Sequence, residues 1–181
     1  MPALRFACCL ILAFAFGCEA TARTDFGQTP NAEPLAEYSG LMRRLFDDEF
    51  GGLALGAPWN DSLAGQNALL SKRALASTSV VVCSVGTVTE GSVGENVAAL
   101  VELRSPGRSL IVGGLDECPK IAVLTTSFSY SILRQSGASL VGKSVVIFVR
   151  HFHENGETTW HWHAEPDRPD VRDTIQRMRG Q

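Results

Sequence analysis

The chain has 181 residues, of which 45% are hydrophobic and 19% charged, a balance that excludes extensive disorder. The 16 Lys and Arg residues against 19 Asp and Glu give a formal charge of -3, and no dense basic run could neutralise a row of phosphates. We therefore expect one folded domain that does not bind nucleic acid.

The N-terminus predicts an export segment. A short positively charged start, residues 1–5, precedes an uncharged apolar run, Phe6–Phe16 (FACCLILAFAF). A membrane-spanning helix needs about 20 apolar residues, so this run is too short to be a permanent transmembrane anchor. We therefore interpret it as the core of a secretory signal peptide.

Two processing sites follow this apolar run. Residues 15–18 (AFGC) resemble the lipobox of bacterial lipoproteins, although their first two positions depart from its commonest pattern. The resemblance covers only the start of the chain. It implies removal of residues 1–17, lipidation of Cys18 and a membrane-tethered protein at the outer membrane or in the periplasm. The alternative is cleavage after residues 20–22 (ATA), a small-x-small site that would release a soluble protein.

A tether and a helical layer are predicted next. Residues 18–33 are expected to be a tether, because residues 23–33 are polar and have no apolar periodicity. Residues 34–181 are expected to form a single globular domain. Apolar residues at helical spacing predict two helices over about 34–75, the first beginning at Pro34 and the second near Asn60.

The part from about residue 79 to 164 is predicted to be β-rich. Its β-branched runs are separated by Gly, Pro and Ser, which favours strand after strand over alternating βαβ units. Ser127–Leu133 fits a helix or a strand, and Pro169–Met178 predicts a short closing helix. The expected fold is α+β, a small antiparallel β-barrel or sandwich with an OB-like layout, two N-terminal helices and a short C-terminal helix. The predicted strands are Val80–Thr89, Val97–Arg104, Leu110–Val112, Ile121–Thr126, Val145–Glu154 and Glu157–His163.

Two cysteines, Cys83 and Cys118, belong to the β-rich part. Export would place them where disulfides persist, and a pair without CxxC spacing suits a structural bridge better than a redox site. Two separately buried thiols are the alternative, because the sequence does not give the distance between their Cβ atoms.

Residues 137–144 (GASLVGKS) match the phosphate-binding pattern G-x-x-x-x-G-K-[ST]. That chemistry needs a strand before the loop and a helix after it, because the N-terminus of the helix holds the phosphates. Here the loop is followed by Val145–Val149, a strand-forming run. We therefore expect a turn at Gly142-Lys143 and no nucleotide site.

All four histidines lie in the segment HFHENGETTWHWH, residues 151–163. Histidine is the commonest protein ligand of metals, so this segment suggests a copper or zinc site. Asn155-Gly156 predicts a two-residue hairpin turn, which would place the first two histidines on one face of the sheet and the last two on the other. The four are His151, His153, His161 and His163.

The metal hypothesis depends on the length of this turn. A three-residue loop with a bulge would bring all four histidines to one face, as one shared metal site. A site of two histidines completed by a carboxylate or by the N-terminal region is a second form of the hypothesis. The alternative is that the histidines are half-buried strand residues beside two core tryptophans, Trp160 and Trp162.

No catalytic set stands out in the sequence. There is no G-x-S-x-G nucleophile elbow, and the acidic run at residues 47–49 is interpreted as the solvated end of a helix. Two functional classes follow from these patterns. One is an envelope protein attached to a membrane through its N-terminal lipid and acting as a binding or interaction module. The other is an exported copper- or zinc-binding protein.

Overall fold

The computed structural model describes residues 35–51, 63–90, 97–104 and 118–180. The chain divides into two units, Met1–Glu33 and Pro34–Gln181, and every described residue belongs to the second. Cys18 and the predicted strand Leu110–Val112 lie outside the described residues. In chain order the elements are α1 (Leu41–Leu45), β1 (Glu49–Phe50), α2 (Leu63–Ala76), β2 (Ser79–Glu90), β3 (Val97–Arg104), β4 (Lys120–Leu124), α3 (Phe128–Leu140), β5 (Ser144–Glu154), β6 (Glu157–Pro166) and α4 (Pro169–Arg179).

The strands form one sheet in the order β1-β6-β5-β2-β3-β4. Neighbouring strands are antiparallel except for β1 and β6, which are parallel. Strand β2 takes part in two ladders, pairing with β5 over Ser79–Ser84 and with β3 over Ser84–Glu90. The sheet curls into a nearly closed barrel, and α3 connects β4 to β5. The expected α+β barrel with an OB-like layout is therefore confirmed.

The two faces of the sheet bury two separate apolar cores. Strand β5 contributes to both, since alternate side chains of a strand point to opposite faces. Ile147 and Val149 lie inside the barrel, while Val146 and Phe148 pack on the other side against residues of α1, α2 and α4. Burial on both faces explains why β5 begins with an almost continuous apolar run.

The helices differ from the expectation at the start of the domain. Helix α1 begins at Leu41 rather than at Pro34, because the preceding residues join the sheet. The His153 N–H donates a hydrogen bond to the Ala36 carbonyl, and Glu37 forms a parallel bridge with His153. Among the described residues, no helix has the length and apolar character needed to cross a bilayer.

Helix α3 occupies the segment that fitted either a helix or a strand. Its N-cap is Ser127, whose hydroxyl accepts a hydrogen bond from the Tyr130 N–H. Such a cap satisfies one of the amide groups that the first turn of a helix leaves unpaired. The expected closing helix is present as α4, with Pro169 in its first turn.

A single carboxylate joins β1 to the start of α3. Strand β1 lies beside β6, and the Glu49 side chain accepts hydrogen bonds from the Phe128 N–H and the Ser129 N–H, each 2.7 Å long. The Phe50 N–H donates to the Ser129 hydroxyl at 2.7 Å. The negative charge of Glu49 therefore caps the N-terminus of α3, where the helix dipole favours it.

Cys83 and Cys118 form a disulfide with an S–S distance of 2.07 Å. Cys83 is fully buried in the middle of β2, and Cys118 lies two residues before β4. The bridge therefore links β2 to the start of β4, two strands that do not pair directly in the sheet.

The segment GASLVGKS forms the end of α3, a turn and the first residue of β5. The order of elements is helix, turn and strand, the reverse of a phosphate-binding loop. Gly142 has a φ of 83°, and its N–H donates to the Val85 carbonyl, while the Val85 N–H donates to the Lys143 carbonyl. The expected turn is present, and its backbone is tied to β2.

Candidate functional site

The four histidines lie on the hairpin formed by β5 and β6. Its two turn residues, Asn155 and Gly156, have φ values of 52° and 83°, as a two-residue type I′ turn requires. The register is the one that such a turn predicts. It pairs Glu154 with Glu157, His151 with Trp160, Arg150 with His161 and Phe148 with His163.

This register separates the histidines into two pairs. His151 and His153 are on the face that lines the barrel, and His161 and His163 are on the face that packs against the helical layer. The hypothesis of one metal site shared by all four histidines is therefore wrong, because the two pairs point in opposite directions from the sheet. Within the described part of the chain, no group of three or more His, Cys, Asp and Glu side chains is arranged to hold a metal ion.

His161 belongs to a row of four ionisable side chains that we call the exposed charge chain: Asp48, His161, Glu154 and Arg43. The Nδ1 atom of His161 lies 2.6 Å from an Asp48 carboxylate oxygen, and its Nε2 atom lies 3.4 Å from Glu154. Arg43 contacts the other oxygen of Glu154 at 3.3 Å. The Tyr38 ring stacks on the imidazole, with 3.5 Å between centroids and 4° between planes.

His163 belongs to an equivalent row, the buried charge chain: Asp47, His163, Glu165 and Arg73. The Nδ1 atom of His163 lies 2.6 Å from Asp47, and its Nε2 atom lies 3.0 Å from Glu165. Arg73 contacts the same Glu165 oxygen at 3.0 Å, and its Nε–H donates to the Leu45 carbonyl at 2.6 Å. Both chains therefore run from aspartate through histidine and glutamate to arginine.

The local backbone explains why the two chains lie side by side. His161 and His163 are two residues apart in β6, so they share a face of the strand. Their partners Asp47 and Asp48 are consecutive and lie between α1 and β1, where Asp48 adopts a left-handed φ of 57°. The backbone of Asp48 is held in place because its N–H donates to the Trp162 carbonyl.

The electrostatic surroundings favour the protonated form of both histidines. Burial lowers the pKa of His161, but the hydrogen bonds and charges of Asp48 and Glu154 outweigh it, so the pKa lies above its ordinary value. Burial and the charge of Arg73 lower the pKa of His163, while Asp47 and Glu165 raise it, again with a net increase.

Burial also shifts the pKa values of Arg73 and Tyr38. It lowers the pKa of Arg73, and the negative charges of Glu165 and Asp47 oppose that shift. It raises the pKa of Tyr38, and the charge of Asp48 adds to that increase. A buried arginine and a buried tyrosine hydroxyl both need partners. The Tyr38 hydroxyl donates to the Phe46 carbonyl at 2.5 Å.

The carboxylates beside His161 and His163 are the kind of groups that could complete a two-histidine metal site. Both ring nitrogens of each histidine already face a carboxylate, and the glutamate in each chain also contacts an arginine. A divalent cation between Nε2 and the glutamate would lie beside that guanidinium, which is electrostatically unfavourable. The arrangement instead suits ion pairing that depends on the protonation of the histidines.

Sequence reasoning missed most of the residues around these histidines. It treated residues 47–49 as the solvated end of a helix, which is wrong because all three carboxylates contact other elements. The signal was an acidic run in the same chain as a His-x-His pair, but nothing in the sequence placed the two together. No sequence motif indicated a role in this site for Arg73, Tyr38 or Glu165.

The two tryptophans of β6 have different surroundings. Trp162 is buried and meets Phe50 edge to face, with 5.1 Å between ring centroids, as expected for a core residue. Trp160 is 41% exposed, so the expectation that both are core residues is wrong for Trp160. It lies opposite His151, beyond the last pair between β5 and β2, which is Ser79 with Val149.

The hairpin and its two charge chains are the features from which a function can be inferred. Comparisons with protein-family models, with curated proteins and with solved structures found no match.

Proposed function

We propose that this protein is exported, held at the cell envelope by a lipid on Cys18, and acts there through its barrel as a binding or interaction module. The support for export is the charged start, the short apolar run and the lipobox-like residues 15–18. Several acyl chains on one cysteine give lasting attachment, because each buried methylene contributes about 0.8 kcal/mol. The proposed location is the outer membrane or the periplasm.

The observation that carries the binding function is the exposed Trp160 on the β5–β6 hairpin. Strands β5 and β6 continue past the last pair with β2 and remain paired up to the turn at Asn155-Gly156. Tryptophan supplies a large contact area at low entropic cost and is enriched among the residues that dominate binding energy. In OB-type barrels the loop between the fourth and fifth barrel strands contributes to ligand binding. If the two-residue strand β1 is left out, β2 is the first barrel strand, and β5 and β6 are the fourth and fifth.

The binding role can be tested by photo-cross-linking in intact cells. A photo-reactive amino acid replaces the exposed Thr158, with Trp160 either retained or changed to alanine. We expect a discrete cross-linked product that disappears with Trp160→Ala. The matched control carries the same photo-reactive group at Phe128, which is 66% exposed and lies on α3. Identical products with and without Trp160, or the same product from position 128, would contradict a binding role for the hairpin.

The anchor has a separate test. Mass spectrometry of the mature protein should find an acylated Cys18 as its first residue, and Cys18→Ser should release the protein from the membrane fraction. A mature protein that begins at Arg23 would contradict lipid attachment and leave a soluble exported protein. A copper or zinc site is not proposed, because each glutamate beside His161 and His163 already contacts an arginine. Near-stoichiometric metal in protein from its native compartment would contradict that choice.

A further inference from the structure

We propose that His161 and His163 form a proton-dependent clasp between residues 35–51, here called the N-terminal segment, and the β5–β6 hairpin. When both histidines are protonated they hold the segment against the hairpin, and loss of the two protons weakens that hold. This inference goes beyond the proposed binding function and does not depend on it.

Each histidine bridges the two parts that the clasp joins. The N-terminal segment supplies one carboxylate to each ring, Asp48 to His161 and Asp47 to His163. The hairpin supplies both rings and a second carboxylate for each, Glu154 and Glu165. Each imidazole therefore lies between a carboxylate of the segment and a carboxylate of its own hairpin.

The number of protons on each ring decides how many of these contacts can be hydrogen bonds. A protonated imidazole donates from both nitrogens, whereas a neutral ring has only one N–H group. Ionised carboxylates only accept hydrogen bonds. A neutral His161 or His163 therefore leaves one of its two carboxylates facing an acceptor nitrogen, and that contact becomes repulsive.

Charge balance leads to the same conclusion. In the exposed charge chain Asp48 and Glu154 carry two negative charges, and Arg43 with a protonated His161 carries two positive charges. The buried charge chain has the same balance with His163 and Arg73 as its cations. Two further ionisable groups face His161: Tyr38, which is neutral because its pKa is raised, and Arg150, which lies opposite His161 and donates to the Ala76 carbonyl. Loss of a proton from either histidine leaves its chain with one excess negative charge.

The sign of the pH dependence follows from the raised pKa values. The stabilisation by each histidine is complete below the ordinary histidine pKa of about 6.5 and is lost as the pH rises through the higher pKa of the folded state. The clasp therefore holds in mildly acidic solution and weakens in alkaline solution.

Apolar packing determines how far the segment can move. Leu45, Phe46 and Phe50 are almost completely buried, so loss of the two protons does not detach the whole segment. The bonds that open are those next to the charge chains, from the Asp48 N–H to the Trp162 carbonyl and from the His153 N–H to the Ala36 carbonyl. The expected change is local opening rather than global unfolding.

Amide hydrogen exchange of the full chain at pH 6.0 and pH 8.5, corrected for the intrinsic exchange rate, tests the clasp. We expect protection of the Asp48 and His153 amides to fall by about tenfold between the two pH values, and protection of Val101 in β3 to stay constant. A double variant, His161→Gln with His163→Gln, should remove the difference. The matched control, His151→Gln on the other face of the hairpin, should retain it.

Nitrogen NMR of the wild-type imidazoles gives a readout that does not depend on the variants folding. Both nitrogens of His161 and His163 should be protonated at pH 6.0, and loss of those protons should coincide with the increase in exchange. The proposal is overturned if either ring is neutral at pH 6.0, if protection of Asp48 does not change while the rings lose their protons, or if the control variant abolishes the change.

Discussion

The two charge chains allow the same interaction to be compared at two depths in one molecule. Arg73 and Arg43 each contact the glutamate that flanks a histidine, but the Arg73 side chain is 5% exposed and the Arg43 side chain 61%. We predict that Arg73→Met destabilises the protein far more than Arg43→Met. Methionine keeps much of the apolar stem of either arginine, so the comparison isolates the charge and its hydrogen bonds.

The size of the difference follows from the groups left without a partner. Arg73→Met leaves the Leu45 carbonyl unpaired and removes one cation from Glu165, which keeps its contact with His163. Breaking a buried ion pair typically costs 3–5 kcal/mol, and we expect about 3 kcal/mol because of that remaining contact. For Arg43→Met we expect less than about 1 kcal/mol, as for exposed pairs.

Urea unfolding followed by tryptophan fluorescence measures both variants against the wild type. A cost of about 3 kcal/mol corresponds to a fall in Tm of about 10 °C for a domain of this size. Equal costs for the two variants, or a cost below about 1 kcal/mol for Arg73→Met, would refute the conclusion that burial sets the strength of these pairs.

Three further predictions concern other parts of the fold. Glu49→Gln should cost about 1–2 kcal/mol by weakening the cap on α3, whereas Glu90→Gln at the exposed end of β2 should be neutral within about 0.5 kcal/mol in the same urea assay. Gly156→Ala should cost about 1 kcal/mol, because its φ is 83° and no atom lies near the added Cβ; equal midpoints for variant and wild type would refute this. Replacing Cys83 and Cys118 together with alanine should cost about 3–4 kcal/mol, and thermal unfolding with an unchanged Tm would contradict a role of the bridge in stability.

The strands could be predicted from the sequence because their signals are local. Strand β3 begins and ends at the predicted residues, Val97 and Arg104. The sequence marks both ends, because segments that contain Gly, Ser and Pro lie on either side of this run. The register of the β5–β6 hairpin followed from two residues, Asn155 and Gly156, because a type I′ turn fixes every pair beyond it. These predictions needed no information about distant parts of the chain.

The charge chains could not be predicted, because their contacts join distant parts of the chain. Asp48 and His161 are separated by 113 residues, and Asp47 and His163 by 116. An acidic run after a helix has the same local pattern whether it faces solvent or a pair of histidines. The predicted start of helix α1 was wrong for the same reason, since Glu37, which the prediction placed in its first turn, forms a bridge to β5 instead.

The link from β1 to α3 through Glu49 also bears on self-association. The edge of β6 at Ala164 is covered by a strand of only two residues, which Glu49 ties to α3. Uncovered strand edges with β-branched and aromatic side chains are templates for pairing with another copy, and β6 contains both kinds of residue. We therefore predict that Glu49→Gln loosens β1 and uncovers this edge, which should appear as aggregation during refolding before it appears as a lower Tm.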